Sequence, residues 1–313
     1  MKKEEFYYES GDGLSKIHAV RYLPENRECI RGIVQIVHGM AEYVERYEEF
    51  AEYLTNRGYV VTGEDHMGHG KSVGSGNAFG YFCEEDPATI LVKDVHRLTE
   101  MTRELYPGVP YVMVGHSMGS FITRNYMCDY GSELNGVIIL GTGMQSPLLL
   151  RVSKLVAALQ KLVLGSHHIS RLINKTGFGS YNREIANPET EFDWLTRDEE
   201  KVREYIEDPM CGFVFTVNGF SALFELISRQ YCDAHLERIP KELPVLMLSG
   251  LADPVGEYGK GVRRAYESLK NKGLQRIDMK LYQGARHELL NETNRVEVMS
   301  DMKQWIEEII SGE

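Results

Sequence analysis

Residues 115–119 of this 313-residue chain read Gly-His-Ser-Met-Gly, and they stand between the apolar run Tyr111-Val112-Met113-Val114 and an apolar-periodic stretch that begins at Phe121. A strand that turns sharply into a helix is the local structure this order of residues specifies. Glycines two places either side of Ser117 let the strand and helix backbones approach closely, and the serine is held in the bend with its hydroxyl in the open. At a helix N-terminus, unpaired N–H groups and the helix dipole stabilise a developing oxyanion, which suits a nucleophile. A plain N-cap serine would also satisfy such a turn. The strand before and the helix after favour the nucleophile.

The rest of the chain supplies a frame for that unit. Phe6 to Glu9 and Lys16 to Leu23, separated by Ser10-Gly11-Asp12-Gly13, read as a hairpin. Gly32 to Val37 is a near-continuous apolar run of the kind buried on both faces of a sheet, and Tyr59 to Val61, Gly136 to Gly141, Pro244 to Leu248 and Ile277 to Tyr282 repeat the pattern. Between them, apolar residues recur at helical spacing: Val44, Tyr47, Phe50, Ala51 and Leu54; Leu91, Val95, Leu98, Thr102 and Leu105; Tyr258, Val262, Ala265 and Leu269; Met299, Met302, Ile306 and Ile309. A glycine-rich loop runs from Glu64 through Gly80. Strands alternating with helices specify an α/β fold, a mainly parallel central sheet with helices on both faces. The alternation lapses from Met144 to Leu236, so the expected organisation is a core of residues 1–143 and 237–313 with an inserted helical cap, 144–236.

A serine hydroxyl needs a base to take its proton and an acid to hold that base. Asp253 stands five residues past Leu248, and His287 stands five past Tyr282. Ser117, Asp253 and His287 thus all fall just beyond strand ends, in the order Ser, Asp, His. Asp233 and Asp278 are alternative acids, but neither lies just beyond a buried strand. Among other histidines, His38 and His69 belong to earlier glycine turns, and His167-His168 reads as an exposed pair in the cap.

The chain resembles α/β-hydrolases of the monoacylglycerol lipase or lysophospholipase type, a group that also takes in serine aminopeptidase-like members. The resemblance rests on His38-Gly39-Met40, on Asp65-His66-Met67-Gly68-His69-Gly70-Lys71-Ser72, on Gly115 to Gly119, on Gly250 to Gly256 and on Arg286-His287-Glu288. It implies Ser117 as nucleophile, His287 as base, Asp253 as the acid that orients it, and an oxyanion hole of the backbone N–H groups of Met40 and Met118. It further implies hydrolysis of a mono-acyl lipid through an acyl-enzyme, with no cofactor. An aminopeptidase or short-chain carboxylesterase would use the same triad, and cap acids such as Glu191, Asp193 and Glu200 are then candidates to hold a substrate ammonium. A ligand-binding protein that kept only the fold would have lost one of the three side chains, and all three are present.

In the cap, Leu148, Val152, Leu155, Leu159 and Leu162 share one helical face. Packing against the protein is one reading of this stripe; the wall of an acyl-chain tunnel, or a surface that touches lipid transiently, is the other. Two motifs are incomplete. Gly70-Lys71-Ser72 ends like a phosphate loop, but Asp65 stands where its first glycine belongs; His287-Glu288-Leu289-Leu290-Asn291 has Asn291 where a zinc site needs histidine, so no metal is expected. A net charge of -11 disfavours nucleic acid and anionic membrane surfaces as partners and leaves a small acyl ester as the expected one. Five scattered cysteines without a C-x-x-C pair, and an N-terminus without an apolar core after its lysines, point to the cytoplasm. None of these patterns specifies an oligomeric state.

Overall fold

The computed structural model describes residues 1–27, 29–74 and 78–312. Residues 75–77 of the expected glycine-rich loop lie outside the described residues. Eight strands, β1 (Lys2–Glu9), β2 (Lys16–Leu23), β3 (Gly32–Val37), β4 (Tyr59–Glu64), β5 (Tyr111–His116), β6 (Gly136–Leu140), β7 (Val245–Gly250) and β8 (Ile277–Tyr282), form one sheet in the order β1-β2-β4-β3-β5-β6-β7-β8. β1 and β2 pair antiparallel, β2 joins β4 antiparallel, and every later pairing is parallel.

Strands β3 to β7 are buried at every residue, which explains their unbroken apolar runs. Alternate residues feed two cores. Ile33, Met113, Val137 and Met247 meet α2 (Pro87–Leu105), α3 (Met118–Tyr130) and α9 (Lys260–Asn271) on one face. Val34, Val112, Ile138 and Leu246 meet α1 (Glu48–Thr55) and α10 (Arg295–Ser311) on the other. Between β6 and β7 the chain forms α4 (Pro147–Leu164), α5 (Arg171–Phe178), α6 (Glu199–Glu207), α7 (Val217–Ser228) and the single turn α8 (Asp233–Leu236). Pro147 opens α4 in its first turn, where a missing N–H costs no hydrogen bond. Among the described residues, no helix is long and apolar enough to cross a membrane.

Strand β4 runs further than its apolar residues announce, because buried polar side chains complete it. Beyond Val61, β4 continues through Thr62, Gly63 and Glu64, all buried, and the Glu64 carboxyl accepts the Tyr8 hydroxyl proton. Burial raises the Glu64 carboxyl to about 8, and burial followed by the field of Glu64 raises Asp94 to about 7. Burial acts in the opposite direction on histidine, holding His66 at about 4 and His69 at about 3.

These shifts fix the sign of stability against pH. Between roughly pH 4 and 8 the folded chain keeps carboxyl protons that an unfolded chain has lost, so stability falls as pH rises through that window. Below about pH 6.5 an unfolded chain protonates histidines that the folded chain holds neutral, so stability also falls as pH drops. Below pH 6.5 the two effects oppose each other; above it the carboxyl effect remains, so calorimetry should find Tm falling between pH 6.5 and 8.5, with Glu64→Gln flattening the decline. A wild-type Tm that still climbs over that interval would contradict this account.

Candidate active site

The segments just beyond the C-terminal ends of β3, β5, β7 and β8 carry Met40, Ser117, Met118, Asp253 and His287. Ser117 follows β5 with φ 52° and ψ −118°, a conformation that costs a residue with a Cβ on the order of 1–3 kcal/mol. Its neighbours enforce it. A Cβ on Gly119 would lie 2.0 Å from the Val37 carbonyl oxygen, and one on Gly115 would lie 2.3 Å from Thr123 Oγ1. The first turn of α3 thus lies directly on the end of β3. Ser117 N–H donates to the Leu140 carbonyl at 3.0 Å, while its side chain makes no capping bond and lines a cavity above the sheet.

Asp253 and His287 meet beyond the ends of β7 and β8, and His287 lines the same cavity. His287 Nδ1 lies 3.0 Å from Asp253 Oδ2, and both side chains are buried. Val255 N–H holds the second carboxylate oxygen at 2.8 Å. Because Nδ1 donates to the carboxylate, Nε2 keeps its lone pair. Gly141 leaves the ring its space: with φ 56°, a Cβ there would stand 3.0 Å from His287 Cε1. Trp194 covers the ring from above, the centroids 5.1 Å apart.

The turn after β3 brings Met40 to the same cavity. Gly39 packs so closely that a Cβ on it would lie 3.1 Å from that of Ser117. Its carbonyl accepts a hydrogen bond from His38 Nδ1 at 2.8 Å, so the other end of that planar unit, the Met40 N–H, points away from His38. Met118, whose N–H opens α3, lines the cavity with Met40, Ser117 and His287.

Sequence reasoning missed a buried ionic cluster behind these loops. Glu42 accepts from Gly39 N–H at 2.5 Å, from Tyr47 at 2.8 Å and from Arg46 at 2.7 Å, and lies 3.0 Å from His116 Nδ1. Arg46 forks onto Glu288 with two bonds of 2.8 Å. Burial works to raise the Glu42 carboxyl, but the His116 hydrogen bond and the Arg46 charge outweigh it and hold it well below the usual range. Burial likewise works against a charged His116, and Glu42 wins, raising it. The available signal was adjacency: His116 and Glu288 sit beside Ser117 and His287 in the chain.

The cavity holds about 680 Å³. Of the four cap residues expected at a substrate, Val152 lines it. Leu148, Leu155 and Leu159 are 70%, 60% and 54% exposed and lie outside its lining. The face of α4 that meets the cavity carries Leu149, Leu150, Ser153 and Val156 instead.

This sheet order, with a strained serine at the β5–α3 bend and a carboxylate–imidazole pair beyond β7 and β8, defines an α/β-hydrolase. The chain belongs to the family described as serine aminopeptidase, S33, which it matches over residues 28–294. It is 27% identical over 279 residues to the monoglyceride lipase homolog of Monkeypox virus, covering 88% of this chain and 89% of that one. Its identity to the monoacylglycerol lipase of Mycolicibacterium smegmatis is 26% over 281 residues, 88% of each chain. Among solved structures, a highly thermostable carboxyl esterase from Bacillus coagulans in complex with glycerol superposes with a TM-score of 0.90, at 29% identity and 99% coverage of both chains.

The backbone contact that shapes the serine bend can be tested without any assay of activity. Gly119→Ala should cost roughly 3 kcal/mol or more in denaturant unfolding, because its methyl group meets backbone and not a side chain that can turn aside. Gly177→Ala, where nothing lies within 4 Å, should change stability by less than about 1 kcal/mol. Equal effects at the two sites would be inconsistent with this packing.

Proposed function

We propose that this hydrolase is a serine carboxylic ester hydrolase that cleaves a mono-acyl lipid, a monoacylglycerol or lysophospholipid, through an acyl-enzyme. The observation that carries the proposal is that His287, paired with the buried Asp253, lines the same largely apolar cavity as Ser117. In the reaction, His287 Nε2 takes the Ser117 proton as Oγ attacks the ester carbonyl, and Asp253 stabilises the imidazolium that forms. The Met40 and Met118 N–H groups receive the oxyanion, each worth about 10² to 10³ in turnover. The imidazolium then protonates the departing alcohol, and a water activated by the same Nε2 releases the fatty acid and restores Ser117.

Size supports a single-chain substrate. About 680 Å³ is in the range that accommodates one drug-sized ligand. The relatives named for monoglyceride or monoacylglycerol hydrolysis, and the esterase that holds glycerol, fit the same reading. Of the cap acids weighed for a substrate ammonium, Glu191 lines the cavity, whereas the Asp193 carboxylate is taken up by the Glu189 and Thr190 N–H groups and Glu200 is exposed and outside the lining. The mostly apolar character of that lining favours an acyl ester over an aminoacyl amide. Residues 144–236 serve as the cap over a core of 1–143 and 237–313. The exposed leucines of α4, Leu148, Leu155 and Leu159, suit brief contact with the membrane surface that presents such lipids to a cytoplasmic enzyme.

Ser117→Ala and His287→Ala should each lower kcat on the best ester by on the order of 10⁴ or more, with Tm little changed and covalent fluorophosphonate labelling lost in Ser117→Ala. Retention of a tenth of wild-type activity by either variant would exclude the assignment. Val156→Trp, which intrudes on the cavity, should lower kcat/KM for long-chain esters at least tenfold relative to acetate esters, since each buried CH₂ contributes about 0.8 kcal/mol. Leu155→Ala, on the outer face, should leave that ratio unchanged in detergent solution. An inverted pattern would move the acyl chain to the opposite side of α4.

A further inference from the structure

We propose that His69 is a positioning residue for the oxyanion turn, accepting the Ala41 N–H at its Nε2 and so aiming the neighbouring Met40 N–H into the cavity. The inference rests on the reading of Met40 as an oxyanion donor.

Ala41 has φ 54°, a left-handed conformation that a residue with a Cβ adopts at a cost of roughly 1–2 kcal/mol. Contacts on both sides of the residue hold it there. Its N–H donates to His69 Nε2 at 3.2 Å, and its carbonyl accepts from Gly212 N–H at 3.0 Å and from the Tyr205 hydroxyl at 3.1 Å. His69 can act only as an acceptor at Nε2. Its Nδ1 lies 3.1 Å from the Met67 carbonyl, which accepts and never donates, so the ring proton belongs to Nδ1. The ring is fully buried, stacked on Phe82 and edge-on to Phe213 and Phe215, so its Nε2 has one orientation. Burial also lowers it to about 3, which keeps the lone pair available at any working pH.

The same loop holds the other end of the turn. His66 N–H donates to His38 Nε2 at 2.9 Å, which places the His38 proton on Nδ1, where it meets the Gly39 carbonyl. Asp65 Oδ1 accepts from Val44 N–H at 3.0 Å. With His38 held by His66 and Ala41 held by His69, the Gly39–Met40 peptide between them is fixed at both ends. Loss of the His69 acceptor releases the Met40–Ala41 peptide while the Gly39 and Ala41 carbonyls stay bonded, and relaxation of the strained Ala41 backbone then draws the Met40 N–H off the position an oxyanion occupies.

The test compares His69→Phe, which keeps an apolar ring among the phenylalanines but has no acceptor, with His69→Gln, whose amide oxygen reaches the place of Nε2. In His69→Phe, kcat should fall about ten- to a hundredfold while KM stays within about twofold, because the oxyanion exists in the transition state and not in the bound ester. Affinity for a trifluoromethyl ketone, which adds to Ser117 as a tetrahedral oxyanion, should fall by the same factor as kcat/KM, and His69→Gln should recover most of both losses. Unchanged kcat in His69→Phe, or a kcat loss without loss of ketone affinity, would overturn the proposal. If His69→Phe does not fold, ¹⁵N spectra of wild-type protein decide. The His69 signals, identified by their absence in His69→Gln, should show Nδ1 protonated and Nε2 bare at pH 7, and a protonated Nε2 overturns the proposal. Failure of wild-type Ser117 to react with a fluorophosphonate would instead overturn the esterase reading, leaving the His69–Ala41 bond to be judged by those spectra.

Discussion

Three buried charged groups, Glu42, His116 and Glu288, together with the partly buried Arg46, tie together loops that lie far apart in the chain. Glu42 belongs to the turn after β3, His116 ends β5, and Glu288 follows His287 beyond β8. Arg46 bonds to both carboxylates and lies over the Tyr205 ring at 4.8 Å. Burying such charges is expensive, and their mutual attraction barely offsets the loss of water, so the cluster adds little net stability. What it supplies is registration. Removing one partner strands a buried charge at a cost of about 3–5 kcal/mol, so loops bound this way cannot drift independently. The strained Ser117 and Ala41 backbones persist because this frame and the close packing of α3 on β3 over-determine them.

The parts of the fold that were legible in the sequence are those where apolar patterning has one solution. β3, β5, β6 and β7 are buried on both faces, so their runs of Val, Ile, Leu and Met stand out without any helical period. Strand ends were read short wherever a polar residue is paired in the interior. Gln35 did not interrupt β3, since its amide bonds to the Val95 carbonyl, but Thr62 and Glu64 hid the end of β4. β1 begins at Lys2 because it is an edge strand whose charged side chains stay half in water, a setting in which no apolar alternation is required.

At the site, position in the chain marked Ser117, Asp253 and His287 because each follows a strand end, and the structure places Asp253 and His287 in hydrogen-bond contact. The cap gave no such marker. α4 carries apolar residues around much of its circumference, so a stripe drawn through Leu148, Leu155 and Leu159 is as well formed as one drawn through Leu149, Ser153 and Val156. Periodicity identifies a face and says nothing about what the face meets. Burial does: Leu150 and Ala157, seven residues apart on the side away from Leu155, are the buried residues of this helix.

The two halves of the segment above the sheet are held by different kinds of contact. Residues 193–215 are bonded to the site loops through backbone groups: Arg286 to the Asp193 and Thr196 carbonyls, Glu288 N–H to the Leu195 carbonyl, and Gly212 N–H to Ala41. Such bonds have little tolerance for displacement, and they join this half to the His287 loop, to the turn that carries Met40 and, through Phe213 and Phe215, to His69. α4 instead rests on the chain through Leu150 and Ala157, with a Lys154–Glu225 pair at its surface, and leaves most of its leucines in water. Apolar contact is non-directional, and a helix held mainly by it, and tied by its Lys154 and Gln160 side chains, yields more readily than a segment bonded through its backbone. The geometry around Met40 and His287 is thus built on the bonded half, while α4 is the wall of the cavity with more freedom to adjust.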